Sequence, residues 1–221
     1  MKNLTFPLLL FGIVLFFGCA KNISNSNNNG FISTTSSLWP LKAGNAFLYQ
    51  DSVFDANNNV IESFSDSAYI TNQTVNINGS AFYGINDSLG WFGTGSYVTV
   101  GSSNTSLYML DSANASSAYI FFAEAPGDSY LIASSKDFSN PNCISTDALY
   151  GFATTYTIKG YTCYKSVETI TDCNNAVTYA LVYYVSPGAG IVRIEEYSQN
   201  PSNTSQLYLD YSQTLVSEKI N

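Results

Sequence analysis

The chemistry open to this chain is bounded first by a missing side chain: its 221 residues contain no histidine. That removes Ser–His and Cys–His relays, the usual general base near neutrality and the commonest zinc ligand. Cys143, Cys163 and Cys173 show no CxxC spacing, so a thiolate zinc site is not expected. Carboxylates remain, and two of them at a defined separation could serve a glycosidase. Glu195 and Glu196 are adjacent, so on a strand they point to opposite faces and cannot act as one pair. Asp51 and Asp55 share a strand face but read more simply as edge or turn residues. Asp55-Ala56-Asn57-Asn58-Asn59 opens like a calcium loop, with Asp66 at the twelfth position. The pattern then fails, because Val60 stands where the sharp turn needs glycine and Asp66 where a bidentate Glu is normal. An Asn-rich hairpin turn is the expectation there. No catalytic residue, metal site or cofactor is assigned, and the chain is not expected to be an enzyme.

The fourth cysteine, Cys19, has a different chemistry available. Lys2 supplies a positive start, and Leu4 through Phe17 form an apolar run broken only by Thr5, Pro7 and Gly12. A helix needs about 20 apolar residues to span a bilayer, so this shorter run reads as the core of a signal peptide covering 1–18. Gly18-Cys19 follows it at once, as in a lipobox, although Phe16 occupies the usual Leu position and Leu15 lies one place further back. Gly18-Cys19-Ala20 also satisfies the small-x-small rule of ordinary signal peptidase. Lipidation of Cys19 is the preferred reading. Each acyl methylene buried in a membrane contributes about 0.8 kcal/mol, so more than one chain holds firmly. By analogy with lipoprotein sorting, Ala20 rather than Asp implies the outer membrane, and the lack of a following acidic run implies the periplasmic side. Lys21 through Ser37 is dominated by Asn, Ser, Gly and Thr, too polar to offset its ordering entropy. Residues 19–37 are therefore read as a lipidated cysteine and flexible tether.

A net charge of −8 with no basic stripe excludes the usual recognition of nucleic acid or of anionic headgroups, leaving the lipid as the membrane partner. The rest, 38–221, reads as one all-β domain, an antiparallel meander forming a sandwich, a barrel or a strongly curved sheet. Strand signals cover Ala46–Asp55, Val60–Val75, Ala81–Asn86, Ser96–Val100, Ser106–Leu110, Ala118–Ala123, Ser129–Ser134, Thr154–Lys159, Thr162–Thr171, Val177–Val185, Gly190–Ser198 and Gln206–Leu215. Asn78-Gly79 marks a tight hairpin, and Pro126-Gly127-Asp128 a turn. Tyr179, Leu181, Tyr183 and Val185 alternate onto one buried face, as do Leu207, Leu209 and Tyr211.

With Cys19 lipidated, one disulfide is expected among Cys143, Cys163 and Cys173. Ten extended residues span about 33 Å, far beyond the roughly 5.5 Å Cα separation of a disulfide. Pairing Cys163 with Cys173 would require the chain to fold back, so Cys143 with either is preferred. Aromatic residues make up 15% of the chain, and most are expected to pack the core. Trp91 and Phe92 lie in a glycine-rich loop, where exposure would make them a ligand or partner surface. Four triplets, beginning at Asp51, Asp66, Asp87 and Asp111, resemble a D-[ST]-small/apolar O-glycosylation acceptor.

Three segments together resemble a broad group of bacterial cell-envelope lipoproteins of unassigned activity. Pro40-Leu41-Lys42-Ala43-Gly44-Asn45-Ala46-Phe47-Leu48-Tyr49 is similar to their P-L-x-x-G-N-x-aromatic-x-Tyr opening. Ile77-Asn78-Gly79-Ser80-Ala81-Phe82-Tyr83 is the second, and Tyr183 through Val192, with Pro187-Gly188-Ala189-Gly190, resembles a late P-G-x-G-[IL]-V turn. The resemblance implies a β-rich, periplasm-facing fold and no catalytic residues. Three functions follow in order: a non-enzymatic envelope module binding a protein or cell-wall component, a lipocalin-like carrier of an apolar ligand or a glycan binder, and a carboxylate-dependent hydrolase. Replacing Cys19 by Ser should move the protein from the membrane fraction to the soluble fraction; unchanged retention contradicts the lipid anchor.

Overall fold

The computed structural model describes residues 37–87, 92, 94–101, 105–115, 117–123, 129–136 and 143–221. The signal peptide, Cys19, the tether to residue 36 and the turn at 126–128 lie outside them. Among the described residues, twelve strands form one antiparallel sheet: β1 (Ala46–Phe54), β2 (Val60–Ile77), β3 (Ser80–Asp87), β4 (Thr94–Val100), β5 (Ser106–Leu110), β6 (Tyr119–Ala123), β7 (Ser129–Lys136), β8 (Ile144–Ile158), β9 (Tyr161–Thr171), β10 (Val177–Ser186), β11 (Gly190–Asn200) and β12 (Asn203–Lys219). Their order is β6-β5-β4-β3-β2-β1-β12-β11-β10-β9-β8-β7. Two meanders therefore meet where β1 pairs with β12, and the sequence neighbours β6 and β7 lie at opposite ends of the sheet.

That order forces curvature. Laid flat at a spacing of about 4.8 Å, such a sheet would be roughly 53 Å wide, whereas the chain from Ala123 to Ser129 reaches about 22 Å at most. The sheet curls into a nearly closed barrel. At the closure, the Ala123 amide donates to Ser166 Oγ on β9 at 3.4 Å, and Phe121 meets Tyr183 of β10 with ring centroids 5.6 Å apart.

Hairpin chemistry sets the register. Asn78 and Gly79 both have positive φ (51° and 85°), which a two-residue turn between right-twisted strands requires. The β1–β2 and β9–β10 turns share another device. Asp55 Oδ1 accepts from the amides of Asn57 and Asn59, each at 2.9 Å, and Asp172 Oδ1 accepts from Asn174 and Ala176 at 2.8 and 2.9 Å. Asn58 and Asn175 supply the positive φ of each turn. The Asp55 carboxylate thus closes a hairpin, and among the described residues no group of three acids or thiols is placed to hold a metal.

The barrel interior is filled largely by aromatic and aliphatic side chains. Phe47, Tyr49, Phe121, Phe122, Tyr183, Leu149, Ile191 and Leu215 are fully buried. Trp39, just before the barrel, packs on Phe47 and Phe92 with centroids 5.8 and 5.4 Å apart. The leading segment is fixed by hydrogen bonds from the Gly188 amide to Ser37 O (2.8 Å) and from Asn45 Nδ2 to Pro40 O (2.6 Å). The Asn221 amide adds a third, to Asn45 Oδ1 at 2.9 Å, which brings the residues after β12 to the same rim as those before β1. A smaller cluster of Phe82, Tyr97 and Leu110 packs with Ala115 and Ala118 of the β5–β6 connection.

Strand β8 is longer than the sequence signal, which marked only residues 154–159. Ser145, Thr146 and Asp147 break its apolar alternation, yet Ile144–Tyr150 pairs with β7 on one side and Thr146–Phe152 with β9 on the other. Gly190, which opens β11 at φ +83°, lies under the Trp39 indole, where a Cβ would overlap the ring. Gly190→Ala should therefore cost about 2–4 kcal/mol of folding free energy, read as a lower denaturation midpoint; an unchanged midpoint contradicts this packing.

Candidate functional site

The residues singled out in the sequence are dispersed. Cys19 and Trp91 lie outside the described residues. Phe92 is 4% exposed and packs on Trp39 and Phe121, so a displayed Trp91-Phe92 platform is corrected for Phe92: its ring completes the core. Cys143 and Cys173 form a disulfide with a Cα separation of 4.6 Å, tying the start of β8 to the β9–β10 turn. Cys163 is a free, fully buried thiol whose pKa desolvation pushes up to about 11, which makes it a poor nucleophile. Asp51, Asp66 and Asp87 of the Asp-Ser triplets are buried, whereas Asp111, Ser112 and Ala113 are exposed.

Two clusters of polar side chains are built by the sheet. The first faces inward. Glu168 on β9 lies in register with the buried Leu149 of β8 and Leu181 of β10. Loss of water there raises its pKa to about 7, with Asp147 reinforcing the shift. Burial also pushes Asp147 up to about 6, and the two carboxyls share a hydrogen bond. Tyr183 OH donates to Glu168 Oε2 at 3.1 Å. Further round the wall, Asp51 is raised to about 6, mainly by burial, with Tyr211 and Gln213 turned towards it and the Asp66 charge adding to the rise. Burial raises Glu196 and Glu218 as well. Asp147 and Glu168 could exchange a proton, the elementary act of acid–base catalysis. Glu196 is separated from Glu168 by Leu181, so the three do not converge on one point.

The second cluster faces outward. One transverse row runs Phe152 (β8), Lys165 (β9), Tyr184 (β10), Arg193 (β11), each in register with the next. At standard strand spacing it covers about 14 Å. Lys165 Nζ lies 5.3 Å from the Phe152 ring centroid and 5.5 Å from that of Tyr156, a cation–π arrangement. Tyr156 meets Tyr184 edge-on at 5.6 Å. Arg193 Nη2 pairs with Glu195 Oε1 at 2.7 Å, and Glu195 Oε2 accepts from Tyr184 OH at 3.4 Å and Tyr197 OH at 3.0 Å. Phe152 is 39% exposed and Tyr150, on the same face of β8, 40%. The adjacent Glu195 and Glu196 thus divide as the period of a strand requires, one to the outer network and one to the inner.

Elsewhere an open groove of about 450 Å³ lies between the leading segment and β3–β4, lined by Trp39, Pro40, Leu41, Lys42, Tyr83 and Val100 among others. It reaches neither the inner acids nor the outer row. Sequence reasoning missed both clusters, because their members are distant in the chain and are joined only by strand register.

The sequence matches no protein-family profile and no curated protein. Among solved structures it is similar to a lipoprotein candidate from Parabacteroides distasonis ATCC 8503, with 14% identity and a TM-score of 0.44. It is also similar to an exported-protein candidate with a YmcC-like fold from Bacteroides fragilis NCTC 9343, with 14% identity and a TM-score of 0.45. Each comparison covers 83% of this chain and 99% of the other.

The inner acids give the fold a pH dependence of definite sign. Because Asp51, Asp147 and Glu168 keep their protons to about pH 6–7 in the folded state, the native protein holds more protons than the unfolded chain above pH 4. Their contribution is complete below about pH 4 and is lost as pH rises to about 7. Asp55 and Asp172 are lowered by their turn hydrogen bonds and act oppositely, but they are fully exposed and act at lower pH. The thermal midpoint should fall between pH 5 and pH 8, and Glu168→Gln should flatten that fall; a midpoint that rises over this range contradicts the assignment.

Proposed function

We propose that this chain is a lipid-anchored envelope module that works by binding rather than by catalysis, through the outer face of strands β8–β11. The observation that carries the reading is the contrast between the two sides of the sheet. The inner face is occupied by Trp39, Phe47, Phe92, Phe121 and Tyr183, packed ring against ring. The outer face presents Tyr150 and Phe152 about two-fifths exposed, beside the half-buried Tyr184, Lys165 and Arg193. Aromatic and arginine side chains are the residues through which binding surfaces gain most of their energy.

Anchoring belongs to the same proposal: acylation at Cys19, outer-membrane attachment and a periplasmic orientation. Ser37, the first described residue, accepts a hydrogen bond from the Gly188 amide in the β10–β11 turn, which holds it at that rim. A lipid at the tether's far end would leave the barrel wall accessible from the side. A carrier function is less well supported, because the side chains that would line an internal chamber instead fill the core.

The test is retention of envelope material by the immobilised full-length protein in detergent, compared with the Phe152→Ala/Tyr184→Ala double variant. Both side chains stand on the outer face, Tyr184 half-buried against Tyr156, so the variant should still unfold cooperatively with a thermal midpoint lowered by several degrees. Loss of about 90% of the retained material is expected if the pair forms a binding centre. Undiminished retention by a folded double variant contradicts the reading.

A further inference from the structure

We infer that the outer row is a subsite for an acidic saccharide, a chain of sugar rings bearing carboxylates. This rests on the binding reading above and names the ligand class. The row does not end at Arg193: Thr214 of β12, Gln50 of β1 and Ser65 of β2 continue it in register. Measured along the curved wall at standard spacing, the track is about 29 Å long, and it crosses seven of the twelve described strands. One end alternates aromatic and cation, Phe152, Lys165, Tyr184 and Arg193. The other end is hydroxyl and amide, with the part-buried Ser52 and the exposed Ser63 alongside on the same face. Gln50 Nε2 donates to Ser63 Oγ at 2.9 Å and to Phe64 O at 2.7 Å, holding its amide along the surface.

This composition separates a saccharide from a protein partner. The centre of a protein interface is a contiguous apolar patch, whereas the rings here, Phe152 and Tyr184 with Tyr150, Tyr156 and Tyr197 beside them, are mostly phenols and are interleaved with Lys165, Arg193 and Glu195. A pyranose has the matching character. Its C–H faces carry partial positive charge and rest on the negative faces of aromatic rings, and its hydroxyls exchange hydrogen bonds with Ser, Thr and Gln.

Charge then selects an acidic sugar. The chain carries 8 basic against 16 acidic residues, so a general attraction for anions is absent and a local one must be built. Lys165 and Arg193 sit on alternate strands with Tyr184 between them. Among the described residues, Lys165 has no carboxylate within ion-pair distance; its ammonium lies against the Phe152 and Tyr156 rings. A sugar carboxylate approaching that ammonium would add an ion pair without displacing one. Arg193 engages Glu195 through Nη2 and its Nε is buried, so Nη1 is the nitrogen left for a second anion.

The experiment is calorimetric titration of the full-length protein in detergent with polygalacturonate and with the same polymer methyl-esterified, at low salt. Polygalacturonate should bind, and esterification, which removes charge but keeps the rings, should weaken binding by about tenfold or more. Lys165→Gln should cost about fivefold or more for the acidic polymer and change the neutral one little. Phe152→Ala/Tyr184→Ala should abolish binding of both, and each variant's thermal midpoint serves as its folding control. No heat from polygalacturonate, or equal affinity in the folded Lys165→Gln protein, overturns the acidic-saccharide assignment. If that happens while retention of envelope material still depends on Phe152 and Tyr184, the ligand class falls and the binding reading stands. If neither measurement depends on those residues, both fall.

Discussion

The connection from β6 to β7 constrains everything else in this molecule. Two strands that follow one another among the described residues occupy opposite margins of the sheet that the twelve described strands form, and a link of five residues can join them only if the sheet rolls up. Rolling gives the sheet an inside, and the inside must be filled. Phe121 is carried in by β6, Phe92 by the β3–β4 connection and Trp39 by the leading segment, and their rings meet those of Phe47 and Tyr183. Polar residues on the inner face lose their water at the same time. Asp51, Asp147 and Glu168 hold protons at unusually high pH for that reason and not because of any special local motif.

Curling also gives identical residue types opposite roles. Glu195 and Glu196 are one peptide apart. Glu195 joins Arg193, Tyr184 and Tyr197 on the outside, while Glu196 faces inward near Tyr179 with its pKa raised by burial. The tyrosines divide likewise: Tyr183 lies wholly within the core and Tyr184 stands in the outer row. The outer set stands at the surface of the wall, and the inner set is packed among the core side chains.

Much of the fold was legible because turn chemistry and alternation are local. Asn78-Gly79 gave its hairpin, and most strands lie within a few residues of their sequence signals. The first half of β8 was hidden because Ser145, Thr146 and Asp147 do not alternate with apolar residues; pairing on both sides holds it in place. Whether the strands made a sandwich or a barrel was not legible, since the β1–β12 pairing joins residues that lie far apart in the chain. Phe92 looked displayed because its glycine-rich surroundings resemble a surface loop, and only Trp39 and Phe121 draw the ring inward. The outer row was invisible for a related reason. Phe152, Lys165, Tyr184 and Arg193 have no sequence spacing in common, and they align only once the registers of three strand pairs are fixed.

A filled interior and an exposed outer row divide the wall of this molecule. Hydroxyl-radical footprinting of the folded protein, alone and with bound envelope material, reads both at once by residue. Phe152 and Tyr150 should be oxidised in the free protein and shielded in the bound one, while Trp39, Tyr49 and Tyr183 stay unreactive in both. Oxidation of the inner rings in the free protein, with their protection on binding, would place the ligand inside the barrel and contradict the account.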